Sequence, residues 1–300
     1  MCRMARVYND LTRRVLWQVF SRYHAGWERN ESCRQCRQSV MQLIKKIYWL
    51  IFNGVQLLIT LLWSAAWIIV ALIMRLLTGS ADVPLRMAFR IWAPLLIHGA
   101  PARFEVLGQD RIDFSRPHVF VANHQSMIDV CALFMAVPVP LRFMLKSELG
   151  QVPFLGWYTH AMGMVFVNRT RPGQARDQLI RAVDLVRDGA QLVAFPEGTR
   201  SLDGRVQSFK SGAFRVAIGA GVSVVPVAIS GSGQVMPPGG FHIRPGHIRV
   251  EFGQPIATAN LTLADRRRLA ERARREICAM LAAEERAPRN SDQGAVEPRH

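Results

Sequence analysis

Residues 118–129 read His-Val-Phe-Val-Ala-Asn-His-Gln-Ser-Met-Ile-Asp, an apolar run that passes through a short polar segment into a second apolar run. The first run is rich in β-branched and aromatic residues, which is typical of a buried strand, and the second predicts the start of a helix. Side chains that follow a buried parallel strand lie at the sheet edge where ligands bind. This segment therefore predicts an α/β structure and, between its two elements, a functional loop.

The same alternation continues on both sides of this segment. Including residues 118–122, the predicted strands cover residues 103–107, 118–122, 141–145, 164–167, 191–195, 223–229 and 248–252. The helices predicted between and after them cover residues 127–137, 174–187, 211–219 and 264–283. Strands that alternate with helices predict an α/β fold with a largely parallel sheet covered by helices.

The composition of the 300 residues narrows the class of protein. Apolar residues make up 50% and charged residues 20%, which excludes a disordered chain or a fibre and predicts a packed core. Lys and Arg number 38 against 22 Asp and Glu, and this balance of +16 favours anionic partners such as lipid headgroups or phosphorylated substrates. Five scattered cysteines predict no disulfide framework, so a reducing compartment is expected.

The region before the α/β pattern carries a membrane signal. Residues 47–74 are 28 consecutive positions without Asp, Glu, Lys, Arg or His. A helix of that length extends about 42 Å, which exceeds a hydrocarbon core of about 30 Å. A shorter apolar segment follows at residues 84–99, marked by Arg86 and Arg90. We favour a membrane-embedded helix pair that returns the chain to the cytoplasmic side, over a single crossing or a buried helix of a soluble domain.

These observations divide the chain into four predicted parts. Residues 1–40 form a basic N-terminal extension, 41–100 the membrane-associated helix pair, 101–285 the α/β domain and 286–300 a polar tail expected to be disordered. Met41 precedes the apolar segment and is an alternative start of the protein. Cys33 and Cys36 form a C-x-x-C pair, but no second pair follows at zinc-finger spacing, and no metal site is predicted.

His124 and Asp129 are the first candidates for chemistry. Five positions separate them, so they share no helical face, but they can meet if His124 lies in the loop and Asp129 in the first helical turn. The carboxylate would then accept the Nδ1 proton and leave Nε2 as a general base. Ser126 and Asp129 also spell a helix capping box, which would make His124 an ordinary loop residue. The spacing alone leaves both interpretations open.

A second polar loop follows residues 191–195 and reads Pro196-Glu197-Gly198-Thr199-Arg200. Gly198 would let backbone amides approach a ligand, Arg200 offers a fork that matches phosphate oxygens, and Glu197 can accept hydrogen bonds from hydroxyls. A surface turn with an ion pair is the alternative. Lys146 and Arg169 each follow another predicted strand, and we hypothesise that these basic residues converge on one anion.

Four blocks in this order carry a family resemblance: N-H-x-x-x-x-D from Asn123, G-x-x-F-x-x-R from Gly163, F-P-E-G-T-R from Phe195 and V-P-V-A-I from Val225. Over about residues 85–255 the chain resembles the glycerolipid acyltransferases, and is most similar to the bacterial branch that acts on 1-acylglycerol-3-phosphate.

The resemblance implies a role for each matching residue. His124 and Asp129 would be the catalytic pair. The phosphorylated acceptor would be bound by residues of the second and third blocks, with Lys146 as a further phosphate ligand; these are Arg169, Glu197, Gly198, Thr199 and Arg200. Asn168 stands where the family often has an acidic residue, which concerns the preference for the acceptor.

The implied activity is transfer of a fatty acyl group from acyl-CoA or acyl carrier protein to the sn-2 hydroxyl of 1-acylglycerol-3-phosphate. It needs no bound cofactor and no acyl-enzyme. The expected partners are lysophosphatidate, the acyl donor and membrane lipid, but no nucleic acid. The expected location is the bacterial inner membrane with the active site on the cytoplasmic side. The alternatives are another acceptor (a lysophospholipid, lyso-ornithine lipid or glycerol-3-phosphate) or a non-catalytic protein that binds anionic lipid.

Overall fold

The structure is a computed structural model, and it describes residues 31–168 and 171–286. The chain divides into two units, Met1–Gln56 and Leu57–His300. In the first unit the described residues belong to one helix, on which Tyr48, Trp49 and Phe52 form a cluster with ring centroids 5.3–6.3 Å apart. The second unit holds the sheet and the candidate site.

The helices follow the predicted order and include two short ones that the sequence pattern did not predict, α5 and α8. Numbered along the chain, they are α1 (Glu31–Thr78), α2 (Asp82–Met87), α3 (Ala93–Gly99), α4 (Ile128–Ala136), α5 (Leu155–Ala161), α6 (Pro172–Arg187), α7 (Gly212–Ala220), α8 (Ser232–Val235) and α9 (Arg266–Arg286). A π-helical segment, Ala88–Trp92, joins α2 to α3.

All seven predicted strands are present, with ends that differ by one or two residues. They are β1 (Ala102–Leu107), β2 (Val119–Ala122), β3 (Leu141–Lys146), β4 (Val165–Val167), β5 (Gln191–Ala194), β6 (Val224–Ser230) and β7 (Gly246–Phe252). They form one sheet in the order β1-β7-β6-β2-β5-β3-β4. Every neighbouring pair is parallel except β6 and β7. The predicted largely parallel α/β sheet is therefore confirmed.

Strand β2 lies in the middle of the sheet, and all four of its residues are buried because helices cover both faces. Val119 and Val121 belong to a core formed with α6, α7 and α9. Phe120 points to the other face, where its ring packs edge-on against Phe252. Since the side chains of a strand alternate between faces, this continuous apolar run is buried on both sides.

The N-terminal helices differ in their surroundings. The part of α1 from Gln38 to Thr78 is long and apolar enough to cross a membrane. The segment from α2 to α3 instead buries one side against the α/β domain. The rings of Trp92 and Phe134 pack edge to face, and Arg142 and Asp82 form an ion pair of 2.8 Å. Helix α1 also begins at Glu31, within the predicted basic extension. Embedding of the second segment in a membrane stays a prediction.

Candidate active site

The site lies at the carboxyl edge of the central strands. Strands β2, β5 and β6 are parallel neighbours, so the loops that follow them open on the same edge of the sheet. The first of these loops holds His124, and the second begins at Phe195 and carries Glu197 and Arg200. The fourth sequence block, which begins at Val225, lies inside β6 and is buried beside β2.

The structure brings His124 and Asp129 into contact. The Nδ1 atom of His124 lies 2.8 Å from the Oδ2 atom of Asp129. His124 is in the loop and Asp129 in the first turn of α4, which is the arrangement that the spacing allowed. The Asp129 side chain is completely buried, whereas the imidazole remains 15% exposed, so a substrate can reach it.

Asp129 also organises the loop around the imidazole. Its Oδ2 atom accepts hydrogen bonds from the backbone N–H groups of Gln125 and Ser126, both at 2.8 Å. The bond from Ser126 is one half of the predicted capping box. The Ser126 hydroxyl does not complete that box, because it donates to the carbonyl of Met236 at 2.7 Å and accepts from the N–H of Ile128 at 3.3 Å. Asp129 therefore pairs with His124 and also makes one of the two hydrogen bonds of the predicted capping box.

The ring of His124 is fixed on a second side by Phe195. The two rings are stacked with centroids 4.0 Å apart and planes 16° from parallel. Because Nδ1 faces a carboxylate, its proton is donated to Asp129, and Nε2 then carries the free lone pair. Within residues 31–168 and 171–286, no side chain or backbone group binds Nε2. The imidazole is therefore arranged to accept a proton from a bound molecule.

Asn123 and Phe195 are parts of the site that the sequence reasoning did not single out for these roles. The buried Asn123 amide donates to the carbonyl of Ile229 and accepts from its N–H, both at 2.8 Å. A side-chain amide offers the same donor and acceptor as a peptide unit, so it extends the pairing of β2 with β6 beyond Ala122. The sequence signal for the role of Asn123 was its position directly between a buried strand and a histidine.

Glu197 connects the two loops. Its Oε1 atom accepts the backbone N–H of His124 and its Oε2 atom that of Gln207, each at 2.8 Å. Burial raises the pKa of Glu197, while the two backbone N–H groups act in the opposite direction. Both oxygens are thus already occupied by backbone groups. The predicted contact between Glu197 and substrate hydroxyls stays a prediction.

The other predicted binding residues lie around this edge. Gly198 is buried, adopts a φ of 80° that favours glycine, and donates its N–H to the carbonyl of Phe195 at 3.0 Å. Thr199 is exposed and Arg200 is half-buried. Lys146 is exposed at the end of β3. Their convergence on one anion stays a prediction.

Arg169 lies outside the described residues, but the preceding Asn168 is described. The Asn168 N–H donates to the side-chain oxygen of Gln178 at 2.7 Å, and its side-chain amide donates to that of Gln174 at 3.0 Å. An acidic residue at position 168 could not donate this second hydrogen bond. Asn168, which departs from the family pattern, therefore makes a polar contact with α6 that an acidic residue could not make in the same way.

The chain is similar to known acyltransferases. A family model described as "Acyltransferase" matches residues 103–230. The chain is 38% identical to the chloroplastic 1-acyl-sn-glycerol-3-phosphate acyltransferase LPAT1 of Arabidopsis thaliana over 169 residues, 56% of this chain and 47% of that protein. It is 35% identical to the 1-acyl-sn-glycerol-3-phosphate acyltransferase of Pseudomonas aeruginosa over 166 residues, 55% of this chain and 63% of that protein.

The fold is also similar to a solved structure, that of the 1-acyl-sn-glycerophosphate (LPA) acyltransferase PlsC from Thermotoga maritima. The TM-score is 0.65 at 26% identity, over 79% of this chain and 98% of that chain. The chain spans about half the length of the first curated relatives it matches. The resemblance predicted from the four ordered blocks is thus confirmed over residues 103–230, which match the acyltransferase family model.

Proposed function

We propose that the protein transfers a fatty acyl group from acyl-CoA or acyl carrier protein to the sn-2 hydroxyl of 1-acylglycerol-3-phosphate, which gives phosphatidate. The observation that carries this proposal is the 2.8 Å contact between His124 Nδ1 and Asp129 Oδ2, with the imidazole exposed at the carboxyl edge of the sheet. The activity in the names of the bacterial and chloroplastic relatives supports this choice of acceptor.

The proposed reaction uses the contact between His124 and Asp129. Nε2 of His124 takes the proton of the sn-2 hydroxyl as that oxygen attacks the carbonyl carbon of the thioester. The C–O bond forms, the carbonyl electrons move onto oxygen, and the imidazolium is stabilised by Asp129. When the tetrahedral intermediate collapses, the C–S bond breaks and the sulfur takes the proton from Nε2. The products are phosphatidate and a free thiol, and His124 is neutral again.

No acyl-enzyme is needed in this scheme. Ser126 is the hydroxyl nearest to the pair in sequence, and its side chain is fully buried in hydrogen bonds to Met236 and Ile128. A hydroxyl used in this way is not available as a nucleophile. Positioned general-base catalysis contributes about 10²–10⁴-fold, and orientation of the two substrates can supply several kcal/mol more.

The phosphate of the acceptor is assigned to the basic residues beside the catalytic loop. Arg200 is half-buried in the loop that Glu197 connects to His124, and Lys146 ends β3 on the same edge. We include Arg169, Gly198 and Thr199 in the same acceptor site on the strength of the family motifs. Glu197 contributes by holding the backbone of His124, and the hydrogen bond from Gln207 to Glu197 closes the second loop on itself.

Membrane association completes the proposal. The acceptor is an amphiphile, and the Gln38–Thr78 part of α1 is suited by length and composition to hold the domain at a bilayer. We propose the bacterial inner membrane, with the active site facing the cytoplasm where the acyl donor is available. Relatives from bacteria and from chloroplasts match the chain, so fractionation of the source cells is the test of this location.

A thiol-release assay tests the activity. Detergent-solubilised protein with acyl-CoA should release free thiol only when lysophosphatidate is added, and His124→Ala should abolish the release. His98, an exposed histidine on α3, provides the matched control, and His98→Ala should leave the rate unchanged. Faster release with glycerol-3-phosphate or another lysolipid would change the acceptor. Binding of lysophosphatidate without any thiol release would contradict the enzymatic proposal.

A further inference from the structure

The chain that follows β3 carries a group of exposed apolar side chains. After Lys146 it passes through a 3₁₀ turn, Ser147–Gln151, into α5. Five large apolar residues in this stretch are exposed, and we call them the apolar patch: Leu149, Val152, Phe154, Leu155 and Trp157. The side chains of Phe154 and Trp157 are the most exposed, at 60% and 61%. Clusters of this kind on a protein surface mark a site of interaction.

The backbone holds this patch outward. Phe154 has a φ of 62°, and it is the only residue other than glycine with a positive φ within residues 31–168 and 171–286. A bulky residue rarely adopts this conformation, so the surrounding turn must impose it. The turn is closed by Gly156, whose N–H donates to the carbonyl of Val152 at 2.6 Å. The aromatic rings of Phe154 and Trp157 then meet edge to face, 5.1 Å apart.

The neighbours of the patch indicate what covers it. The guanidinium of Arg75, near the end of α1, donates to the carbonyl of Ala161 at the end of α5 at 3.3 Å. The next two residues of α1, Leu76 and Leu77, are strongly exposed and apolar. The patch therefore lies beside the end of the helix that is suited to cross a membrane, and Arg75 and Lys146 supply positive charge near it.

We propose that the apolar patch inserts into the interfacial region of the lipid bilayer, as a second membrane contact beside α1. Exposed aromatic and aliphatic side chains flanked by Lys and Arg suit a bilayer with anionic headgroups. The patch follows the carboxyl end of β3, so its insertion brings the edge of the sheet that holds His124 to the headgroups. The proposed insertion of the patch depends on the proposed function in one respect, which is that the acceptor is a bilayer lipid.

Fluorescence quenching tests the insertion without any turnover. The full chain is reconstituted in vesicles of phosphatidylcholine and phosphatidylglycerol, and the signal of Trp157 is obtained as the difference between the wild type and Trp157→Phe. We expect lipids brominated in the acyl chains to quench this signal, and aqueous iodide to leave it unchanged. Quenching by iodide alone would show that the patch faces water, and quenching by neither agent would show that protein covers it. Either result would overturn the proposal.

An activity measurement gives a second readout. The double variant Phe154→Ser with Trp157→Ser should raise KM for lysophosphatidate in vesicles several-fold, and leave KM for a short-chain, water-soluble acceptor unchanged. Ile180→Ser is the matched control, because Ile180 is also an exposed apolar residue but lies on α6. An equal change with both acceptors would contradict a role at the bilayer. If neither acceptor is used by the wild type, the proposed activity fails, while the quenching result still decides the insertion.

A separate observation concerns Arg274, on α9. Its Nε and Nη2 atoms donate to the carbonyls of Gln207 and Val206, both at 3.1 Å. The N–H of the same Gln207 donates to Glu197, whose other oxygen accepts the N–H of His124. We infer that Arg274 is a positioning residue for the catalytic histidine, which acts through the Gln207 peptide and Glu197. The planar guanidinium suits two adjacent carbonyls, whereas the ammonium of lysine is a single point of charge.

The test compares Arg274→Ala with Arg275→Ala, since Arg275 is an exposed neighbour on the same helix. Arg274→Ala should lower kcat by about tenfold, equivalent to about 1.4 kcal/mol, with little change in KM, and added guanidinium should restore part of the rate. Arg275→Ala should behave like the wild type. An unchanged kcat in Arg274→Ala would overturn the inference. A loss of kcat that added guanidinium does not restore, together with a lower Tm, would also overturn the inference, because this pattern would show that Arg274 only docks α9.

Discussion

Replacement of Asp129 by asparagine separates the two roles that this residue combines. The Oδ2 atom accepts three N–H groups at 2.8 Å, from the His124 ring and from the backbone of Gln125 and Ser126. In Asp129→Asn the amide oxygen can take this position and keep all three hydrogen bonds. The amide nitrogen then replaces Oδ1, a buried atom that has no partner among the described residues. The variant should therefore fold while it loses the negative charge beside the imidazole.

The magnitude follows from the same contacts. Hydrogen bonds to a charged group contribute about 1.5–3 kcal/mol and those between neutral groups about 0.5–1.5 kcal/mol, so three weakened bonds remove about 3–4.5 kcal/mol from the free energy of unfolding. Removal of a buried charge offsets part of this loss. The imidazolium formed in the reaction loses its counter-charge, and we expect kcat to fall about 10²–10⁴-fold, the range of positioned general-base catalysis.

The assay is thiol release with lysophosphatidate at saturation, together with thermal unfolding of the same samples. Ser126→Ala is the matched control, because it removes the hydroxyl bonds to Met236 and Ile128 from the same helical turn and leaves the carboxylate in place. This control should lose about 1–3 kcal/mol of stability and keep most of kcat. A kcat of Asp129→Asn close to that of the wild type would show that the charge of Asp129 does not assist catalysis. An equal loss of kcat in both variants would show that only the cap matters.

Three further predictions concern the surroundings of the pair. In Glu197→Gln the amide can accept only one of the two backbone N–H groups, so kcat should fall about tenfold, measured by thiol release. Because burial raises the pKa of Glu197, ionisation of this side chain lowers the stability of the folded protein. The wild type should therefore be most stable relative to Glu197→Gln at acid pH, and should lose that advantage as the pH rises above 4.5, the ordinary pKa of a glutamate. Unfolding at a series of pH values measures this difference. Asn123→Ala leaves the N–H and C=O of Ile229 unpaired between β2 and β6 and should cost about 2–4 kcal/mol in denaturant unfolding.

Much of the fold could be predicted because strands and long helices leave local patterns. The run at residues 119–122 is apolar throughout, and a strand buried on both faces requires this. Helix α5 was not predicted, since its seven residues, Leu-Gly-Trp-Tyr-Thr-His-Ala, are too few to establish a helical period. The order of the strands depends on which distant runs pair, and a single sequence holds no signal for that.

The site could be predicted in part for the same reason. His124 and Asp129 are five residues apart, so a loop and one helical turn suffice to bring them together. The role of Glu197 depends on the backbone N–H groups of residues 124 and 207. Every residue other than proline has such a group, so the sequence does not show which of them a side chain contacts. Arg274 likewise contacts main-chain groups that are distant in sequence, the carbonyls of Val206 and Gln207. In the sequence it resembles any solvent-exposed arginine of a basic helix. Roles that depend on long-range contacts with the main chain required the structure.

In the proposed reaction the His124 imidazole removes the proton from the acceptor hydroxyl, and the rate of phosphatidate formation at a series of pH values tests this step. Mass spectrometry of the product from wild type and His124→Ala in the same vesicles gives this rate. We predict that His124→Ala forms no phosphatidate at any pH at which the wild type is active. Phosphatidate formation by His124→Ala at the wild-type rate would show that His124 is not the general base.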